Sequence, residues 1–288
     1  TMPGYQPSRA IGLAALSSTS WRAQGVCSCR GLFTLGPTSL RSGDPFGIYE
    51  VCIEDPATAT MNVMPPVIPL PDIQVTPGGR VGEARPRSGA PEQTVAASSV
   101  RPYLPGDSLR SIHWRTTARR EAPFVRIFDG TPAGDWWIFL DLEQRVQAGQ
   151  GFDSTVEQGV ILAASLAERG LADRRAVGLV VNAQNLVWMP PQAGSSRRWE
   201  ILRSLALVDP TVRPLAELLQ KTRPVIGRRS SLILITPNTD ADWIEKLLPL
   251  MWLGVMPTVL LMDRSTWDES YPKSAVNSVI NSLNQLNV

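Results

Sequence analysis

The side chains best suited to chemistry gather in one short stretch, residues 101–120, with the sequence RPYLPGDSLRSIHWRTTARR. This stretch contains the only histidine of the chain, His113, and five arginines against a single carboxylate, Asp107. An imidazole among guanidinium groups suits general acid–base catalysis, phosphate binding or a structural network of charge-assisted hydrogen bonds. The surrounding sequence has to distinguish these three uses.

The sequence offers no catalytic motif that could work together with His113. A cysteine nucleophile needs a base within hydrogen-bond reach, and His113 is the only imidazole available. The cysteines fall in a different predicted domain and are interpreted as small buried apolar residues of a reducing compartment; they are Cys27, Cys29 and Cys52. The chain contains neither Gly-x-Ser-x-Gly nor Gly-x-x-x-x-Gly-Lys-Ser/Thr. We therefore expect no enzyme activity, and an enzyme that uses His113 is the alternative.

The arginine-rich stretch is interpreted as a joint between domains. Pro105-Gly106-Asp107 is a turn tripeptide, so a helix from about residue 108 to 118 is predicted, capped by Asp107 or Ser108. The helix would bury Trp114 and place Arg115 and Arg119 on one face. Carboxylates would pair with the arginines; the candidates are Asp107, Glu121 and Asp129.

Nucleic-acid binding is the other alternative for the same stretch. It requires an aromatic side chain and several cations to be exposed together, namely Trp114, Arg110, Arg115, Arg119 and Arg120. The net charge of the whole chain is only +2, and no nucleic-acid-binding motif is recognised. We therefore expect no nucleic acid among its partners.

The composition changes along the chain and predicts two structured parts. Residues 1–75 are predicted as a small antiparallel β domain, truncated at its N-terminal side, with candidate strands over 8–16, 31–42 and 47–54. Residues 65–91 are dense in proline and glycine, and we place a linker over 76–95. The arginine-rich segment over 96–132 joins it to a second domain over 133–288.

The second domain alternates apolar strands with amphipathic helices. This pattern predicts an α/β fold with a mostly parallel sheet covered by helices on both faces. In the first helix, Asp153 or Ser154 is the predicted N-cap and Gly170 the predicted stop. Ligands of such sheets bind at the carboxyl ends of the strands, here the loops after Leu142, Asn182, Thr236 and Asp263.

The apolar runs of the sequence are too short to span a membrane, and the N-terminus does not have the pattern of a signal peptide.

Several segments carry a resemblance to a known bacterial family. The segment RPYLPGDSLRSIHWRTTARREAPFVR, together with RGLFTLGPTSLRSGDPFGIY, FDSTVEQGVILAASL and WMPPQAGSSRRWEILRSLALV, resembles the domain-of-unknown-function 58 family from about residue 30 to 263. Its most specific part is a pattern of signature residues, here Asp107, Arg110, Ile112, His113, Trp114 and Arg115. The resemblance implies a membrane hairpin upstream of Thr1, a β domain, this signature and a von Willebrand factor A-like (Rossmann-like) domain.

A von Willebrand factor A-like domain that binds a divalent cation carries Asp-x-Ser-x-Ser after its first strand, because hard cations prefer carboxylate and hydroxyl oxygens. Here Asp141 occupies the first position, but Glu143 and Arg145 replace the serines. The Arg145 guanidinium would repel a cation and pair with carboxylates. Other oxygen donors in these loops leave a degenerate site open; they are Asp153, Ser154, Thr155, Thr236, Asn238 and Asp240. We expect no bound metal and no cofactor.

The resemblance also implies a role. Family members are often encoded beside MoxR-type AAA+ ATPases, which implies assembly or maturation of a partner. We therefore expect a noncatalytic adaptor that binds a MoxR-type ATPase and is tethered to the membrane, with its soluble domains on the cytoplasmic face.

Overall fold

The computed structural model describes residues 8–76, 97–103, 113–120, 122–128, 135–224, 226–227 and 230–286. The elements of its first part are, in chain order, β1 (Gly31–Leu35), β2 (Thr38–Gly43), β3 (Glu50–Asp55), β4 (Ala59–Val63), β5 (Ala97–Pro102), α1 (Trp114–Arg120) and β6 (Phe124–Phe128). The strands form three antiparallel pairs, β1 with β4, β2 with β3, and β5 with β6.

Two predictions for this first part are wrong. Residues 8–16 form no strand with any described part of the chain and are exposed. All three cysteines are exposed instead of buried. Cys52 lies on the two-stranded β2–β3 pair, whose residues are all exposed, and Cys27 and Cys29 lie in an irregular segment.

The second part forms a five-stranded sheet with helices on both faces and a separate two-residue antiparallel pair of strands. Its elements continue as β7 (Trp136–Asp141), β8 (Gly149–Gln150), β9 (Asp153–Ser154), α2 (Thr155–Ala172), β10 (Val177–Asn182), β11 (Val187–Gln192), α3 (Ser195–Ala206), α4 (Leu215–Thr222), β12 (Ser231–Thr236), α5 (Asp242–Trp252), β13 (Met256–Leu261) and α6 (Lys273–Gln285). The strand order is β11-β10-β7-β12-β13. All neighbours are parallel except β11, which pairs antiparallel with β10. The predicted mostly parallel α/β sheet is confirmed.

The central strand β7 contributes side chains to the hydrophobic cores on both faces of the sheet, because successive side chains of a strand point to opposite faces. Trp136, Ile138 and Leu140 pack with α2 and α3 on one face, whereas Trp137 and Phe139 pack with α4, α5 and α6 on the other. A strand buried on both faces has to be apolar throughout. This requirement explains the unbroken apolar run WWIFL.

Helix α2 begins as predicted and ends later than predicted. The Ser154 side chain caps it by accepting the backbone N–H of Glu157 at 3.3 Å. Gly170 is not the stop, because the helix continues to Ala172. A Cβ at Gly170 would lie 2.7 Å from the Trp136 ring and 2.8 Å from a Val177 methyl group. The glycine therefore allows the helix to approach the sheet closely.

Residues 64–76, which we term the strap, run over the sheet domain. Four of their apolar side chains pack against the core beside α2; they are Met64, Leu70, Ile73 and Val75. Arg169 of α2 donates hydrogen bonds to the carbonyls of Leu70 and Ile73, at 2.9 and 2.5 Å. The backbone N–H of Ile68 donates to Ser165 at 2.9 Å. The predicted domain boundary at residue 75 thus falls within a segment that packs on the sheet domain.

Arg30, just before β1, makes a second connection to the sheet domain. Its guanidinium donates to the carbonyls of Leu205 and Val208 at 3.0 and 2.8 Å, and pairs with Glu157. The Arg30 side chain is nearly buried, so these bonds are shielded from water.

Within the described residues, no helix is long and apolar enough to cross a membrane.

Candidate functional site at the carboxyl ends of the strands

Asp141, the last residue of β7, is the centre of a buried polar cluster. Its Oδ1 accepts the backbone N–H of Glu143 at 3.0 Å, and its Oδ2 accepts the hydroxyl of Thr236, at the end of β12, at 2.7 Å. Asp141 and Thr236 are fully buried. Each carboxylate oxygen of Asp141 therefore already has a donor from the protein itself.

Burial changes the protonation of Asp141. Removal from water raises the pKa of its carboxyl to about 6, and the nearby Glu143 carboxylate contributes to the rise. Hydrogen bonds from Thr236, from the Glu143 backbone and from Asn182 oppose the rise in pKa without cancelling it. Asp141 thus takes up its proton at a higher pH than an exposed aspartate.

Arg145 lies over the mouth of the cluster. Its Nε donates to Glu143 at 3.1 Å, and its Nη2 donates to Asp240 at 3.1 Å. The Glu143 side chain is buried, whereas the Arg145 side chain is 67% exposed. The guanidinium thus links a buried carboxylate to a surface carboxylate and places a positive charge at this edge of the sheet.

The loop after β12 supplies the opposite wall of the cluster. The Thr236 hydroxyl accepts the backbone N–H of Asn238 at 3.0 Å, and the Asn238 side chain accepts that of Asp240 at 2.8 Å. The indole of Trp243 donates to the Asn238 carbonyl at 3.3 Å. These bonds fix the turn that carries Asp240 toward Arg145.

Hydrogen bonds of Gln147 and Thr155 fix the loop after β7. The Gln147 amide donates to the carbonyls of Asp141 and Glu143 at 3.1 and 3.3 Å. The Thr155 hydroxyl lies 2.7 Å from the Gln147 side-chain oxygen. The first turn of α2 therefore determines the course of the loop that contains Arg145.

Two buried acceptor oxygens near the cluster have no donor within the described residues, namely Glu143 Oε2 and Asn182 Oδ1. The amide nitrogen of Asn182 donates to the Arg213 carbonyl at 2.6 Å. In the part of the chain that the structure describes, no three carboxylate, histidine or cysteine side chains form a group that could hold a metal ion.

The other predicted oxygen donors serve local structure. Asp153 accepts the indole N–H of Trp267 at 2.9 Å, and Ser154 caps α2. Thr155 and Asn238 bind neighbouring loops, as described above. The structure thus brings Asp141, Glu143, Arg145 and Thr236 together, and it directs Asp153 elsewhere.

The signature residues are only partly described. Asp107 and Arg110 lie outside the described residues, as do the predicted partners Glu121 and Asp129. The described helix α1 starts at Trp114, whereas the predicted helix started near residue 108. Trp114 is exposed rather than buried. Trp114, Arg115, Arg119 and Arg120 are therefore exposed together.

His113 caps helix α1. The backbone N–H of Thr116 donates to His113 Nδ1 at 3.3 Å, and the Thr116 hydroxyl lies 2.7 Å from the same nitrogen. The backbone N–H of His113 also donates to the carbonyl of Phe124, the first residue of β6, at 2.8 Å. The imidazole thus caps the helix, and the backbone of His113 links the start of the helix to the β5–β6 pair.

Sequence reasoning missed Arg30 and Arg169, the residues that connect the first part of the chain to the sheet domain. Neither belongs to a motif with a recognisable spacing. Each donates to backbone carbonyls that are distant in sequence, so no local signal identifies them.

Together, the fold and the site define an α/β protein whose polar cluster at the carboxyl ends of β7 and β12 is closed by its own side chains. Comparison with known families then identifies the group. The family model described as "Protein of unknown function DUF58" matches residues 99–265, more than half of the chain, and the chain belongs to this family. The chain is also 25% identical, over 154 residues, to "Uncharacterized protein YeaD" of Bacillus subtilis (strain 168). That match covers 52% of this chain and 36% of the relative.

Proposed function

We propose that the chain is part of a noncatalytic adaptor that binds another protein through the carboxyl edge of its sheet. In this proposal the sheet domain is von Willebrand factor A-like, preceded by a small β domain. The whole protein is tethered to the membrane by a segment outside this chain. Its partner is a MoxR-type AAA+ ATPase, with which it assembles or matures a client protein.

The observation that carries the proposal is the position of Arg145. Its exposed guanidinium covers a cluster in which Asp141 is fully engaged, so the edge offers a fixed positive charge beside the exposed carboxylate of Asp240. Fixed charges of both signs at one edge favour recognition of a complementary protein surface. A hydrolytic centre would instead require an activated nucleophile or an open metal position.

The remaining reactive groups also support a noncatalytic role. His113 is used as a helix cap, which leaves its imidazole in a structural bond with Thr116. The exposed cysteines lie in the first part of the chain, and the described residues contain no hydrogen bond between any of them and an imidazole.

Co-purification with a MoxR-type ATPase from the same organism tests the proposal. We expect retention of the ATPase in at least one nucleotide state, with either ADP or a nonhydrolysable ATP analogue. Arg145→Gln should reduce retention about fivefold or more, since a fixed charge at the interface is removed. The matched control is Arg203→Gln, at an exposed position on α3, which should leave retention unchanged.

The proposal fails if the ATPase is not retained in either nucleotide state. It also fails if Arg145→Gln and Arg203→Gln behave alike, because the carboxyl edge would then not be the binding surface. Thermal unfolding of each variant separates loss of binding from loss of fold.

A further inference from the structure

We propose that copies of this chain associate head to tail, with the β2–β3 hairpin of one copy bound to helix α1 of the next. The hairpin comprises residues 38–55, which are β2, β3 and their connecting turn. This inference is independent of the ATPase partnership. It rests on two exposed surfaces with complementary charge and apolar character.

The hairpin has one apolar face with nothing over it. Leu40 pairs with Ile53 and Ser42 pairs with Val51 in the strand register, which places Leu40, Val51 and Ile53 on the same face. All three are more than half exposed. An isolated two-stranded hairpin is only marginally stable in water, so a second layer over this face would stabilise it.

The turn of the hairpin extends this apolar surface. Phe46, Ile48 and Tyr49 are each more than two thirds exposed. Asp44 accepts the backbone N–H of Phe46 at 2.8 Å and that of Tyr49 at 2.5 Å, so the turn that presents them is fixed. A contiguous exposed apolar patch on a soluble domain is typical of an interaction surface.

The hairpin is also acidic. It carries one arginine, Arg41, against four carboxylates, which are Asp44, Glu50, Glu54 and Asp55. The register places Glu50 and Glu54 on the face opposite Val51 and Ile53. Because the ribbon is only two strands wide, with strands about 5 Å apart, a long arginine side chain from the apolar side can reach these carboxylates around its edge.

Helix α1 has the complementary character. It contains Arg115, Arg119 and Arg120, no carboxylate and no buried residue. Trp114 and Ala118 are four residues apart, so they lie on one helix face, and both are exposed. Trp114 supplies a large flat apolar group for the hairpin face, while Arg115 and Arg119 lie beside it on the adjacent helix face.

A second copy of the chain is the occupant that these observations favour. Within one copy both surfaces stay exposed, so they do not cover each other. The basic surface of α1 is seven residues long and the chain as a whole carries +2, a small electrostatic footprint for nucleic acid. The same chain, by contrast, carries an acidic ribbon with an exposed apolar face. Two different surfaces that meet in this way form a head-to-tail contact, which builds a ring or an open chain.

Sedimentation velocity of the 288-residue chain between about 1 and 100 μM tests the association, a range in which modest interfaces are measured. We expect the weight-average sedimentation coefficient to rise with concentration at low salt. The rise should weaken at about 0.5 M NaCl, because exposed charge pairs are screened. A chain that stays monomeric over the whole range at low salt overturns the proposal.

Charge reversal identifies the two surfaces. Arg115→Glu with Arg119→Glu should abolish association, as should Glu50→Lys with Glu54→Lys. An equimolar mixture of the two double variants should associate again, because each reversed surface then meets its reversed counterpart. Arg203→Glu with Lys273→Glu, at exposed positions elsewhere, changes the net charge as much as the first double variant and should leave association unchanged.

The behaviour of the mixture distinguishes head-to-tail association from the alternatives. If each double variant is monomeric and the mixture stays monomeric, the hairpin and α1 do not bind each other and the proposal is wrong. The proposal is also wrong if the chain remains monomeric and retards DNA or RNA in a salt-dependent way in gel electrophoresis, because α1 would then be a nucleic-acid-binding surface. Circular dichroism of every variant confirms that the fold is retained.

Discussion

The hydroxyl of Thr236 donates a hydrogen bond of 2.7 Å to Asp141, joining the ends of the neighbouring parallel strands β12 and β7. Both residues are fully buried. Because the second carboxylate oxygen of Asp141 accepts the Glu143 backbone N–H, Asp141 links two loops. The candidate site is therefore a rigid edge whose exposed charges are Arg145 and Asp240.

Replacement of Asp141 by asparagine should change the pH dependence of stability. Burial raises the pKa of Asp141 from 3.8 to about 6, so the folded state binds its proton more tightly than the unfolded chain does. The stability of the wild type relative to Asp141→Asn should therefore fall as the pH rises from about 4 to about 6, and then level off. The total change is on the order of 3 kcal/mol.

Urea unfolding of both proteins at pH 4, 5, 6 and 7 measures this difference. The curves of unfolding free energy against pH should diverge below pH 6 and run parallel above it. Curves that stay parallel throughout would show that the pKa of Asp141 is not raised in the folded protein.

Divalent cations should not stabilise the chain. The oxygens of Asp141 are engaged and the guanidinium of Arg145 lies at the mouth of the cluster, so an added cation would meet a positive charge. Titration with Mg²⁺ or Ca²⁺ to about 100 times a millimolar dissociation constant would raise stability by about 2.7 kcal/mol if a site existed. A rise in Tm with either ion, abolished in Asp141→Asn, would contradict this prediction.

Arg30→Ala should remove one of the two described connections between the first part of the chain and the sheet domain. The change removes hydrogen bonds to the Leu205 and Val208 carbonyls and leaves Glu157 without its partner. We expect a loss of about 2–4 kcal/mol, since hydrogen bonds to charged groups contribute about 1.5–3 kcal/mol. Urea unfolding measures it. Arg22→Ala, at an exposed position, is the control and should change stability by less than about 0.5 kcal/mol.

Arg169→Ala should release the strap. The guanidinium of Arg169 donates to two carbonyls of the strap. Without it, these carbonyl oxygens lose their donor and are better satisfied by water, which favours release of the strap. We expect faster proteolysis within residues 64–76 and a loss of about 1–3 kcal/mol. Limited proteolysis followed by mass spectrometry locates the cleavage, with Arg203→Ala as the control. Unchanged cleavage in Arg169→Ala would mean that the apolar contacts alone hold the strap.

His113→Ala should weaken helix α1. Loss of the cap to Thr116 should cost about 0.5–2 kcal/mol of local stability. Hydrogen exchange at the amides of residues 114–120 measures it. His113→Asn, which can also cap, should restore most of the protection. If protection is the same in all three proteins, the imidazole does not cap the helix.

The strands and helices of the second part could be predicted because their signals are local. The apolar run WWIFL indicates a strand buried on both faces, and the spacing of small and apolar residues after Ser154 indicates a helix with one apolar face. The end of α2 could not be predicted. Gly170 has the residue type of a stop, but its role is to allow contact with Trp136, a neighbour defined only by packing.

The candidate site was predictable in its residue types and not in its connections. The order of residues places Asp141, Glu143 and Arg145 after β7 and Thr236 after β12, and parallel strands bring these ends to one edge. Which carboxylates Arg145 would pair with was not predictable. Its partners Glu143 and Asp240 lie two and 95 positions away, and only the folded loops bring all three within hydrogen-bond distance.

By itself, therefore, the sequence determined the α/β class, the parallel sheet and the family, because periodicity and a contiguous signature are properties of short segments. The tertiary structure decided the exposure of Trp114 and the cysteines, the roles of Arg30 and Arg169, and the closed state of the Asp141 cluster. The physical reason is the same in each case. Burial and hydrogen-bond partners depend on residues that are far apart in the chain, and only packing establishes which of them meet.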